Sequence, residues 1–241
     1  MTGWDSRDAR SIASGLAVSG PAGGAAPGVR GDAPDGDGEP VRGGWTTALR
    51  RGAEPTRTIG VAIPIPDPHG SRLQRIRAAL GDPMAYAIPT HITLLPPTEM
   101  PSDPGALTRV EDHLRGVARS EHPFTIRLRG TATFRPVSPV VFIALAEGIA
   151  DCERLQRRVM SGPLARELEF PYHPHVTVAH HLPEEVMDRA YKDLSGYEAS
   201  FEVRGFSLYE HGADGVWRPR RHFAFASVPP AAPPADATAT G

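Results

Sequence analysis

Apolar positions between residues 57 and 227 follow two periods that alternate along the chain. Short alternating or continuous runs predict strands at 58–66 (TIGVAIPIP after Arg57), 91–97 (HITLLPP), 124–134 (FTIRLRGTATF), 139–147 (PVVFIALAE) and 173–180 (HPHVTVAH). Between them, apolar residues three and four apart predict helices. The first, over 70–82, carries Leu73, Ile76, Ala79 and Leu80 on one face. The second, over 105–120, carries Leu107, Val110, Leu114 and Val117. Two more are predicted at 149–162 and 183–194, and the segments 200–211 and 215–226 form an antiparallel ribbon.

The order of these elements contains a quasi-repeat. Residues 58–96 give strand, helix and a strand carrying Pro89-Thr90-His91-Ile92-Thr93-Leu94. Residues 139–180 give strand, helix and a strand carrying Pro174-His175-Val176-Thr177-Val178. The two units have similar length and end in the same kind of tetrapeptide, which predicts two similar lobes about a pseudo-two-fold axis. Outside this region the pattern stops. Residues 1–55 are crowded with Gly, Ala, Pro and Asp, and residues 228–241 with Pro and Ala. Neither can bury enough apolar surface to offset the entropy of ordering, so both are expected to be disordered tails around a domain at 56–227.

Composition narrows the function. A formal net charge of −2 gives no global nucleic-acid signature, so any RNA contact would be local. Cys152 is the single cysteine, which rules out an internal disulfide and fits a reducing cytosol. No stretch has the apolar length of a membrane span, and the first twenty residues lack the pattern of a signal peptide. A soluble, cytoplasmic, monomeric protein is the expectation. Lys192 is the only lysine and has no Gly-rich turn before it, which argues against a phosphate-binding loop and against self-adenylation on lysine.

In a strand, residues i and i+2 share a face. His91 and Thr93 therefore project together while Ile92 and Leu94 point into the core, and His175 and Thr177 repeat the arrangement with Val176 and Val178 inward. One such tetrapeptide is weak evidence. Two at equivalent places in a quasi-repeat would put two imidazoles and two hydroxyls around one cleft.

His91-Ile92-Thr93-Leu94 and His175-Val176-Thr177-Val178 resemble the paired His-x-Thr-hydrophobic motifs of the two-histidine (2H) phosphoesterases, in particular the 2′-5′ RNA ligase-like branch. The resemblance covers roughly 57–227. It implies an α+β, bilobal fold with two pseudo-symmetric lobes of antiparallel sheet and flanking helices around a central cleft. It also implies a metal-independent reaction, without a cofactor, on RNA ends or nucleotide cyclic phosphates. Such an enzyme opens 2′,3′-cyclic phosphates, or reversibly joins or cleaves 2′-5′ linkages. His91 and His175 would then be general acid and general base, in an order the sequence leaves open. Thr93 and Thr177 would donate hydrogen bonds to the non-bridging phosphate oxygens.

Other residues are candidates for substrate contact. His180 follows the second motif where relatives often carry a basic residue. Phe134, Tyr172 and Tyr209 are candidates for stacking on a base. Arg135, Arg218, Arg220 and Arg221 could meet phosphates or form a solvated charge run. Three rival readings stay open. A zinc site could use His173, His175 and His180, but strict alternation puts His180 on the opposite strand face. A histidine-triad hydrolase would need a histidine where Thr177 stands. A non-catalytic RNA-end-binding module would keep the fold without turnover.

Overall fold

The computed structural model describes residues 55–168 and 170–226, and the two expected tails lie outside the described residues. Among the described residues there are eight strands and four α-helices. β1 (Thr56–Pro64), α1 (His69–Ala79) and β2 (His91–Pro101) are followed by α2 (Pro104–Arg119) and β3 (Phe124–Thr133). Then come β4 (Val140–Glu147), α3 (Ile149–Val159), β5 (His175–His180), α4 (Glu184–Asp193), β6 (Glu198–Val203), β7 (Gly205–His211) and β8 (Trp217–Ala224). The strands form two antiparallel four-stranded sheets, β2-β1-β7-β8 and β5-β4-β3-β6. The units β1-α1-β2 and β4-α3-β5 occupy matching positions in the two sheets, as the quasi-repeat predicts. The fold is bilobal α+β.

Two departures from the predicted elements have simple causes. β2 runs through Pro96 and Pro97 to Pro101. It is an edge strand, so prolines there remove no ladder hydrogen bond toward a second neighbour. The segment predicted as one strand at 200–211 breaks at Arg204. β6 pairs with β3 in one sheet, and β7 pairs with β1 in the other. The chain changes sheets at Gly205, where a Cβ would lie 2.3 Å from the Phe223 carbonyl oxygen, so only glycine permits the approach. The ribbon predicted with 215–226 is the β7-β8 pair.

α2 starts on an Asp103 side chain that accepts from the Ala106 backbone N–H, with Pro104 in the first turn. It buries Leu107, Val110, Leu114 and Val117, the face the periodicity predicts. α1 differs from prediction in that Arg77 joins Leu73 on the buried face. The helices lock the lobes together. α1 of the first unit packs on β5 of the second, α3 of the second packs on β2 of the first, and β2 and β5 contact each other. One continuous core therefore draws on both sheets, from Ile59, Ile92 and Leu94 to Val141, Val176 and Val178. This cross-packing brings the two motif strands side by side. Among the described residues no helix is long and apolar enough to cross a membrane.

Candidate active site

Each motif strand carries a β-bulge directly after its threonine. On β2, Thr93 pairs with Ala62 while Leu95 pairs with the next residue, Val61, which leaves Leu94 extra. On β5, Thr177 pairs with Phe142 while Ala179 pairs with Val141, which leaves Val178 extra. A bulge sets two strand residues against one and shifts the alternation by one position. Leu94 and Leu95 are accordingly both buried, as are Val178 and Ala179. The quasi-repeat thus extends beyond the tetrapeptide to the backbone irregularity that follows it.

The bulge corrects one expectation. Strict alternation places His180 opposite His175, but past the bulge His180 pairs with Val140, on the face that carries Phe142 and Ala144. Those two residues pair with Thr177 and His175. His175, Thr177 and His180 therefore share the cleft face.

Both motif imidazoles are fixed in the same way. His91 Nδ1 lies 2.5 Å from the Pro89 carbonyl oxygen, and His175 Nδ1 lies 2.8 Å from that of His173. A carbonyl only accepts, so Nδ1 carries the proton in each ring and Nε2 is left as the reactive nitrogen. Burial disfavours charge on both rings. It lowers His91 below the ordinary 6.5, with the Arg77 charge acting in the same direction and the Pro89 hydrogen bond opposing. His175 is pushed down to about 4, mainly by burial and further by positive charge on His173, His91 or His180. His180 is also lowered to about 4, by burial and by His181, whose ring lies 4.2 Å away. The effect of a charged His91 on His175 puts the two lobes' imidazoles within one electrostatic neighbourhood. Thr93 and Thr177 stand beside them, each half-buried.

The aromatic candidates divide. Phe134 is 1% exposed and presents no free face to a base, which corrects that expectation. It packs on Phe142 at 4.3 Å and stands nearly perpendicular to His175 at 5.0 Å, so it holds the imidazole from behind. His173 lies in the same group, its ring roughly parallel to that of His175 at 6.5 Å. Tyr172 points away from this cluster. It packs against the main core, its hydroxyl is buried, and it lines a separate groove with Gln156, Arg157 and Arg166. Tyr209 lines a recess beside His91 together with Trp217 and Ile88.

The arginine candidates are occupied by carboxylates. Arg135 pairs with Glu184 and Asp188, Arg218 with Asp214, Arg220 with Glu111 and Glu210, and Arg221 with Glu111. Although His175 and His180 share a face and the His173 ring lies 6.5 Å from that of His175, no group of three or more His, Cys, Asp or Glu among the described residues is arranged to hold a metal ion.

One arginine that matters escaped the sequence reading. The Arg77 guanidinium, buried on α1, bonds Asp82 at 2.9 Å, the Ile88 carbonyl at 2.8 Å and the Met84 carbonyl at 3.3 Å. Asp82 in turn accepts from the Met84 N–H, and the Trp217 N–H donates to the Ala87 carbonyl. These bonds staple the 81–90 loop, which supplies the Pro89 carbonyl under His91. The only signal in the sequence was an arginine on an apolar helix face.

The chain is similar in sequence to known proteins over the region that carries both motifs. The sequence model of the 2′-5′ RNA ligase superfamily matches residues 65–215. A Bacillus licheniformis protein that carries the name phosphoesterase is 30% identical over 138 residues, 56% of this chain and 80% of that protein. One of the same name from Geobacillus kaustophilus is 30% identical over 132 residues, 54% of this chain and 75% of its own length. Among solved structures, Escherichia coli LigT complexed with 3′-AMP aligns over 71% of this chain and 99% of its own, with 20% identity and a TM-score of 0.49. With both His-x-Thr strands inside the matched region, the chain belongs to the 2′-5′ RNA ligase superfamily of two-histidine phosphoesterases.

Proposed function

We propose that the protein is a phosphoesterase that acts on RNA ends or small nucleotides. Its substrates in this reading are 2′,3′-cyclic phosphates, 2′-5′ phosphodiester linkages, or both. The observation that carries the reading is the matched presentation of His91 and His175. Each donates Nδ1–H to the carbonyl two residues upstream, each stands two residues before a threonine, and the two lie on contacting strands.

Hydrolysis of a 2′,3′-cyclic phosphate would use these groups as follows. One Nε2, unprotonated, takes a proton from water as its oxygen attacks phosphorus in line. The bond from phosphorus to the 3′ oxygen breaks, and the other imidazole, protonated at Nε2, gives its proton to that oxygen. A 2′-phosphate and a 3′-hydroxyl result. Thr93 and Thr177 hydroxyls donate to the non-bridging oxygens as negative charge grows there. Microscopic reversibility exchanges the two histidine roles when a bond is made. The protein groups supply both proton transfers, so the reaction in this reading needs no metal ion.

The test is turnover of a 2′,3′-cyclic-phosphate oligoribonucleotide by the purified full-length chain with EDTA present. Turnover insensitive to the chelator is expected. His91→Ala and His175→Ala should each reduce kcat by about 10²–10⁴-fold without loss of the folded state. Thr93→Val or Thr177→Val should cost about 10²–10³-fold, the scale for one oxyanion donor. Activity that disappears with EDTA, or survives either histidine substitution, would overturn the reading. Binding of the RNA end without turnover would favour a non-catalytic module.

A further inference from the structure

The two motifs differ at one matched position. The carbonyl that accepts from His91 Nδ1 belongs to Pro89, and the one that accepts from His175 Nδ1 belongs to His173. Two residues before its motif histidine, the first lobe thus has a side chain that cannot carry charge, and the second has an imidazole. The strand partners differ too. Thr93 pairs with Ala62, whereas Thr177 pairs with Phe142. The second lobe therefore has rings at two places where the first has proline and alanine.

Those rings are ordered around His175. Phe134 and Phe142, each 1% exposed, lie 5.0 and 5.1 Å from its ring centroid. The same two phenylalanines meet His173 edge-on at 5.8 and 5.7 Å. Held on common walls, the two imidazoles lie 21° from parallel with centroids 6.5 Å apart. At that separation in a partly buried site, charge on one ring opposes charge on the other. His175 is lowered mainly by burial, and positive charge on His173 lowers it further. The other titratable groups that act on His175 are His91 from β2 and His180 from β5, which oppose its charge in the same way. His173 is itself lowered by burial, but the Glu153 carboxylate on α3 works against this. Glu153 lines the same groove as Tyr172, the residue before His173. The β3–β4 side presents Phe134 and Phe142, which carry no charge. A proton that reaches this pair as pH falls is therefore better placed on His173 than on His175.

We infer that His173 is a positioning residue for the second motif: its carbonyl and ring set the orientation of His175, and its charge sets whether His175 keeps a free Nε2. The inference rests on the proposed function for the role of His175. The carbonyl fixes the tautomer, and the shared phenylalanine walls fix the ring planes. A protonated His173 then keeps the neighbouring Nε2 free of a proton in acid. Pro89 gives His91 the first of these supports but not the last, so the two motifs are chemically unequal although their backbones match.

The experiment replaces His173 in the full-length chain by phenylalanine, which keeps a ring without charge, and separately by glutamine, which is polar and uncharged. Imidazole titrations followed by NMR should show His175 taking its proton at higher pH in both variants than in the wild type. Glu153→Gln should move the His173 midpoint down. With a 2′,3′-cyclic-phosphate substrate, the acid limb of kcat/KM should move toward neutral pH in both His173 variants. At a given pH on that limb, activity should fall roughly three- to tenfold, with a smaller loss near neutrality. A purely structural role predicts that phenylalanine restores the wild-type profile, and that result would overturn the inference. So would a His175 titration that is unchanged in the variants. If neither His173 variant folds, the Glu153→Gln titration decides, and an unmoved His173 midpoint would sink the inference. A shifted His175 titration in a chain that cleaves no cyclic phosphate would uphold the coupling and refute the enzymatic reading. Cleavage with an unshifted titration would do the reverse.

Discussion

His91 and His175 are held neutral in the free protein, and this sets the pH behaviour of any chemistry they perform. One ring must be protonated and the other not. With both lowered from 6.5, His175 to about 4, the free enzyme holds that combination best on the acid side. kcat/KM for a cyclic phosphate should therefore peak below pH 6.5 and decline above it, with apparent values that belong to the coupled pair. A bound phosphate anion favours imidazolium, so the optimum of kcat should lie higher than that of kcat/KM. Rate profiles under both conditions check this, and a kcat/KM maximum above pH 7 would contradict it. Stability follows the same groups. Between 6.5 and about 4 the unfolded chain binds protons that folded His175 and His180 refuse. Their contribution is complete above 6.5 and is lost as pH falls through that window. Urea midpoints at pH 7.5 and pH 5 should differ, and His180→Gln should reduce the difference.

At the scale of elements, the loop between α1 and β2 is the part of the site most dependent on a single contact. The Arg77–Asp82 pair is buried, with side chains 7% and 6% exposed, and its other bonds run to the loop backbone. Removing one partner leaves the other charge buried and unpaired, which typically costs about 3–5 kcal/mol. Asp82→Ala should lower stability by that order. It should also reduce kcat more than the melting shift accounts for, because Pro89 and Ile88 lose their anchor. Replacing both residues with apolar ones of similar volume should restore much of the stability but not the activity, since packing can fill the space without fixing the Pro89 carbonyl. Melting curves beside kcat for the two variants separate these contributions. The bulges after Thr93 and Thr177 act at the same scale, since each re-aims the residues that follow it.

For the whole molecule, the exchange of helices between lobes decides how the site is built and how it fails. α1 covers β5 and α3 covers β2, so the main core draws on both sheets. Unfolding should be a single cooperative transition, with sheet signal, tertiary signal and any phosphodiesterase activity lost at one urea concentration. Two separated transitions would show that the lobes are independent. Beside the shared core each sheet keeps a small cluster of its own on the face of its motif histidine, Phe134 and Phe142 near His175 and Tyr209 and Trp217 against Ala62.

Strand and helix periods, the quasi-repeat and the pairing of His91-x-Thr93 with His175-x-Thr177 are local patterns, and the sequence alone determined them. It also singled out four residues on β2 and β5, two strands that contact each other in the fold. What depends on a neighbouring strand could not be read in advance. The face of His180 follows from a bulge, which is a property of register between β4 and β5. The division of 200–211 follows from a change of sheet at Gly205, which shows as close packing on β8 rather than as a break in periodicity. Phe134 as a support for His175 and Trp217 as cover for Gly60 are likewise decided by which face each residue meets after folding. Arg77 as a staple depends on a loop whose path no periodic signal specifies. Periodicity reports which residues seek burial, and only the tertiary structure decides what they are buried against.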